Sequence, residues 1–272
     1  AAHDWPALEF QRSLAAKYGA LDQRLQFFPM ELLLGGIFAV VIWGPGLWWL
    51  LRRPDGRRFR ALGIAVIVTT IIVFVAGGKP YYVAPAFIAL LAAGSVGLEA
   101  TSASRRRRAV WVLAAVGIVS LPLTTAVLPV GQLNAVHAIN PVFEDMVGWP
   151  ELVSQTRAAF DSLPADERGH AIILAANYGE AGVLYRDAPD LPVHSAHNTL
   201  WLEGPPPATA TTVLAVGYSP RTLQPHCASV TQIATITNAE DVHNEEFGRP
   251  ILVCRGLDQP WSELWPQLKH FN

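Results

Sequence analysis

Charge is what this 272-residue chain has least of: 15% of it is Asp, Glu, Lys or Arg, where a soluble domain carries about a quarter. A protein soluble from end to end is therefore not expected. Lysine is scarcer still, confined to Lys17, Lys79 and Lys269. The two cysteines, Cys227 and Cys254, lie too far apart for a thioredoxin-like redox pair. There is no Gly-x-Gly-x-x-Gly and no glycine loop ending in Lys-Ser or Lys-Thr, so no nucleotide site is expected. What is abundant is apolar: 51% hydrophobic residues, with 9 Trp and 11 Phe, which excludes disorder.

The net charge of −2 hides two unlike halves. Residues 1–130 hold 13 basic and 6 acidic side chains, net +7, and residues 131–272 hold 7 and 16, net −9. The first half contains four uncharged apolar runs, about 32–51, 61–78, 81–98 and 109–130. Each is long enough to cross a hydrocarbon layer about 30 Å thick. Four such runs leave too little polar surface for a soluble helical core. The expected architecture is an α-helical membrane region of four spans over 32–130, then a connector (131–139) and a small exported α/β domain (140–272). Residues 1–31 read as an outer-face loop with an amphipathic helix near 7–18. The opening Ala1-Ala2-His3-Asp4-Trp5-Pro6 reads as the interior of a longer protein.

Arginine sets the orientation. Arg52, Arg53, Arg57, Arg58 and Arg60 follow the first run, and Arg105, Arg106, Arg107 and Arg108 precede the fourth. The positive-inside rule puts both connections in the cytoplasm, where they meet anionic lipid rather than nucleic acid. The turn at 77–80 and everything after the fourth run then face outward. The protein is expected in the cell membrane, multi-pass, with its carboxy-terminal domain extracellular. Uncharged spans offer no ion route, which disfavours a channel or transporter.

In the second half, 149–162 has helical apolar spacing, and 171–175, 213–216 and 251–254 read as buried strands. Weaker strand signals lie at 193–194, 200–201 and 232–236, and a helix is expected over 180–185. Strand–helix–strand order favours a partly parallel sheet. An exported compartment favours a Cys227–Cys254 disulfide over two free thiols, worth about 3–4 kcal/mol by chain entropy.

Three patterns invite chemistry. His194-x-x-His197, with Asp187, Asp190, His226 and His243 scattered around it, does not converge as zinc requires, so no metal site is expected. Asn177 and Glu180 follow a buried strand, where α/β domains bind ligands, and with His197, Asn198 and Trp201 form a candidate saccharide surface. Packing and loop roles are the alternative for all five. The third pattern is Gly77-Gly78-Lys79-Pro80-Tyr81-Tyr82, an outer turn with one ammonium and two phenols. It suits a lipid-linked phosphate; a snorkelling lysine in an aromatic belt is the alternative.

The stretch Gly78-Lys79-Pro80-Tyr81-Tyr82-Val83-Ala84-Pro85, with His3-Asp4-Trp5-Pro6 and Gln26-Phe27-Phe28-Pro29, resembles integral-membrane glycosyltransferases related to the protein O-mannosyltransferases and lipid A aminoarabinose transferase. The likeness is nearer to actinobacterial members. Their tails resemble Asn177-Tyr178-Gly179-Glu180-Ala181-Gly182, His197-Asn198, Gly204-Pro205-Pro206-Pro207 and Cys254-Arg255-Gly256. The resemblance implies a polyprenyl-phosphate-linked sugar as donor, an outer-face acceptor, membrane lipids as surroundings, and no cofactor. It also implies that Lys79, Tyr81 and Tyr82 hold the donor phosphate.

The family's catalytic aspartate lies in its first outer loop, and no residue of this chain matches it. No catalytic residue is assigned. A carboxylate from upstream membrane helices of the same protein is expected to supply the base, leaving this carboxy-terminal part inactive alone. The competing reading is a non-catalytic membrane-anchored module that binds cell-envelope glycan or a partner protein.

Overall fold

The computed structural model describes residues 5–18, 25–34, 36, 39–99, 101–124, 128–136 and 141–271. His3, Asp4 and Asn140, which carry parts of the sequence reading, lie outside them. The chain divides into two units: Ala7–Thr125, and Ala126–Asn272 with Ala1–Pro6.

The first unit is helical: α1 (Pro6–Tyr18), α2 (Phe27–Leu34), α3 (Val40–Arg52), α4 (Arg60–Val75), α5 (Ala84–Glu99) and α6 (Ala103–Thr124). The expectation of four spans is corrected here. Among the described residues two helices, Arg57–Val75 (19 residues) and Pro80–Glu99 (20 residues), are long and apolar enough to cross a membrane.

The run 32–51 fails because it is not one helix. α2 ends at Leu34, Gly36 takes φ +77°, and α3 restarts at Val40. The 13 residues of α3 rise about 20 Å, short of the hydrocarbon thickness of about 30 Å. Residues 35, 37 and 38 lie outside the described set. The run 109–130 fails differently. α6 starts at Ala103, ahead of Arg105–Arg108, and among the described residues its uncharged part, 109–124, is shorter than the about 18 residues a span needs. Residues 125–127 lie outside the described set.

α3 and α5 pack through glycine. A Cβ on Gly46 would collide with the Leu90 carbonyl oxygen, and one on Gly94 with that of Ile42. The two backbones therefore touch, as small residues permit between apolar helices. Leu50, Leu90 and Ala93 are buried beside this contact, with Trp43 and Phe87 edge to face at 5.4 Å. α4 instead leaves Ile64, Ile67, Val68, Ile71, Ile72 and Val75 exposed.

The second unit is built on a five-stranded sheet of order β2-β1-β3-β5-β4. Its strands are β1 (Ala171–Ala175), β2 (Val193–His194), β3 (Thr212–Val216), β4 (Cys227–Thr235) and β5 (Pro250–Leu257). β1 runs parallel to β2 and β3, with Ile173 opposite both Val193 and Leu214; β5 is antiparallel to β3 and β4.

Side chains alternate between two cores, as a period of two demands. Ile173, Ala175, Leu214, Val216, Ile251 and Val253 pack under α7 (Trp149–Asp161) and α8 (Tyr178–Asp187). Ile172, Leu174, Val213, Ala215, Leu252 and Cys254 pack against Trp261, Leu264, Trp265 and Leu268 of α9 (Trp261–Leu268). Burial on both faces explains why β1 and β3 read as continuous apolar runs rather than alternating ones. Leu200 and Trp201, weak strand candidates by sequence, lie in a 3-10 turn, Asn198–Glu203, closed by the Leu200 N–H donating to the His197 carbonyl. Cys227 and Cys254 form a disulfide that ties edge strand β4 to β5.

Candidate functional site

Two places gather chemistry, one in each unit. In the helical unit, α4 ends in a Schellman turn. The Gly78 N–H donates to the Val73 carbonyl (2.8 Å) and the Gly77 N–H to that of Phe74 (3.2 Å), with Gly77 at φ +67°. This left-handed position is why glycine stands there. Lys79 is extended, and Pro80 starts the 3-10 turn Pro80–Val83, where its missing N–H costs nothing. The geometry brings the three sequence-nominated residues together. The Lys79 ammonium lies 5.8 Å from the Tyr81 ring centre, and the Tyr81 and Tyr82 rings meet edge to face at 4.9 Å. Both phenols are exposed.

In the α/β unit, β1 connects through α8 to β2 on one side, while β3 lies on the other. The carboxyl ends of β1 and β3 thus form a topological switch point, where open α/β sheets bind ligands. A cavity of about 550 Å³ opens there, walled by Ala176, Asn177 and Glu180 after β1 and by Gly217, Tyr218 and Ser219 after β3. Arg249 and the segment Gln267, Leu268, Lys269 and His270 complete it.

Glu180 is held by a capping box. Asn177 Oδ1 accepts from the Glu180 N–H (2.9 Å), and Glu180 Oε2 accepts from the N–H groups of Ala176 (2.8 Å) and Asn177 (3.2 Å). The side chain is buried (1% exposed). Burial pushes its carboxyl up to about 8, against the opposing pull of the two N–H donors, so it is mostly protonated at pH 7. Glu246 lies beyond Asn177, whose Nδ2 donates to its Oε1 at 3.3 Å, and burial raises that carboxyl as well. Tyr218 is 7% exposed, and its hydroxyl has no hydrogen-bond partner among the described residues, a deficit of about 1–3 kcal/mol. Burial and the neighbouring Glu180 both raise its phenol.

The other sequence-nominated saccharide residues are placed elsewhere. His197 is buried; its Nδ1 accepts the Tyr178 N–H (2.9 Å) at the start of α8, and its ring stacks parallel on His270 at 4.7 Å. It caps a helix and does not line the cavity. Asn198, at φ +53°, begins the 3-10 turn. Trp201 is tied to α9: its Nε1 donates to the Trp265 carbonyl and Trp265 Nε1 donates back, both at 3.1 Å. The Lys269 ammonium covers its ring at 4.6 Å. Of the five, Asn177 and Glu180 line the cavity.

Sequence reasoning missed Tyr218, Arg249 and Gln267. Gly217-Tyr218 follows a buried apolar strand just as Asn177 does, so the rule that singled out the end of β1 applies equally to the end of β3. Nothing in the sequence pointed to Arg249 or Gln267. Among the described residues, no three His, Cys, Asp or Glu side chains converge to hold a metal ion. No protein-family model, no curated protein and no solved structure matches this chain.

Proposed function

We propose that this chain is the carboxy-terminal part of a membrane glycosyltransferase that moves a sugar from a polyprenyl-phosphate donor to an acceptor on the outer face. In this reading Lys79, Tyr81 and Tyr82 receive the donor's phosphate, and upstream helices of the same protein supply the catalytic base. The observation that carries it is the gathering of one ammonium and two phenols on the short turn between the two helices apolar enough to cross a bilayer. A phosphate at the water–lipid boundary is matched by a cation and hydroxyl donors. As the bond from sugar to phosphate breaks, charge grows on the departing phosphate, and donors already in place stabilise it.

The exposed aliphatic side chains of α4 support a lipid environment, since water disfavours so large an apolar surface. The arginines before α4 and at the start of α6 flank the helix pair and support an outward-facing turn. The Cys227–Cys254 disulfide supports an oxidising, extracellular setting for the α/β unit. The side of the membrane on which the α/β unit lies is tested apart from ligand binding.

The test of binding uses the 272-residue chain in nanodiscs, titrated with polyprenyl phosphate and with the uncharged polyprenol. Selective binding of the phosphate, lost at least about tenfold in Lys79→Ala, is the expected result. Equal binding of the two lipids, or no effect of the substitution, overturns the phosphate role. Labelling of single introduced cysteines at 79 and 240 from each side of sealed cells tests the orientation.

A further inference from the structure

We propose that the switch-point cavity of the α/β unit is a binding site for a sugar acid: a hydroxyl-rich, monosaccharide-sized ligand carrying one carboxylate. The inference is independent of the lipid-phosphate reading, because it rests on residues of the other unit.

The size of the cavity, about 550 Å³, lies within the range of about 300–1,000 Å³ typical of small-molecule sites. Its lining argues against a flat apolar ligand. Asn177, Ser219, Thr222 and Gln267 bring side-chain amides and hydroxyls to its lining, and Tyr218 is the only phenyl-type ring among the lining residues. Hydroxyl groups both donate and accept, and so match such a wall. Tyr218 borders the cavity, and its hydroxyl is buried out of reach of the cavity's solvent, without a hydrogen-bond partner among the described residues.

Arg249 argues for the carboxylate. Its Nε donates to the Glu245 carbonyl (3.0 Å), which fixes the plane of the guanidinium, and its terminal nitrogens make no ion pair among the described residues. A guanidinium oriented in this way is suited to two parallel hydrogen bonds with a carboxylate. Lys269 also borders the cavity, but its ammonium lies over the Trp201 ring, so Arg249 is the cation assigned to the carboxylate. The lining therefore favours one negative charge. Gly217, φ +76°, brings no side chain of its own to this wall, and the Glu180 carboxyl fills the space beside it.

The experiment is calorimetric titration of the full chain in nanodiscs with glucuronate, methyl glucoside and acetate. Glucuronate is expected to bind saturably below about 1 mM, with methyl glucoside and acetate each at least about tenfold weaker. Arg249→Gln is expected to weaken glucuronate at least about tenfold while leaving methyl glucoside unchanged. If Arg249→Gln does not fold, Arg249→Lys serves in its place, keeping the charge but losing the paired geometry. Absent glucuronate binding overturns the proposal. So does affinity no better than that of acetate or of methyl glucoside, or affinity indifferent to Arg249.

Discussion

The carboxyl group of Glu180 occupies the space that a side chain on Gly217 would need. Glu180 lies in the first turn of α8 after β1, and Gly217 directly follows β3, so the contact joins the two parallel strands at their carboxyl ends. Gly217 also sits at φ +76°, where any Cβ is strained. Gly217→Ala therefore meets two penalties together, and the expected loss is about 2–4 kcal/mol. Urea unfolding measures it. Adding Glu180→Ala to Gly217→Ala should recover the steric part and leave the backbone part, so the double variant is more stable than the two separate losses sum to. Strict additivity would show that the two residues do not compete for space.

Glu180 also predicts a pH dependence. Its folded-state value of about 8 lies above the ordinary 4.5. The native state therefore keeps a proton that the unfolded chain has released. Its contribution favours folding most at low pH and declines as pH rises from about 4.5 to about 8, levelling above that. The decline is at most about 1.4 kcal/mol per pH unit. Gln can still accept at a capping box but cannot ionise, so Glu180→Gln should gain on the parent as pH rises through this window. Unfolding midpoints at pH 5, 6, 7 and 8 test it; parallel curves would contradict it.

The approach of α3 and α5 makes a third prediction. Gly94→Val drives a side chain into the Ile42 carbonyl, whereas a Cβ on Gly117 in α6 would meet nothing within 4 Å among the described residues. The first substitution should cost about 1–3 kcal/mol or more, and Gly117→Val, as control, much less. Thermal unfolding in nanodiscs compares them, and equal losses would mean that the α3–α5 contact is not tight.

Reduction of the disulfide makes a fourth. The bond closes a separation of 27 residues, and β4 is an edge strand paired to β5 alone. Loss of the bond should cost about 2–5 kcal/mol. Hydrogen exchange should rise first in 227–235, while β1 and β3, in the middle of the sheet, stay protected. Uniform loss of protection across all five strands would mean that the disulfide supports the whole unit.

Some of this was legible before the fold was known. Strands β1 and β3 are short apolar runs between breakers, and their burial on both faces is what removes any polar alternation. The approach of Lys79 to Tyr81 and Tyr82 is local, because a turn places residues two and three apart side by side. The helices of the first unit were less legible. Hydropathy sees an uncharged run at 32–51 but not the left-handed glycine that divides it.

The sequence by itself determined the unlike halves, the buried strands and the polar turn, because composition and neighbouring residues are sufficient causes of each. Only the tertiary structure decided that Glu180 meets Gly217, that His197 caps a helix and that Arg249 and Gln267 reach the same cavity as Asn177. Those relationships depend on strand order: β3 returns beside β1 after the chain has visited β2, and no local pattern of residues encodes which strand ends will meet.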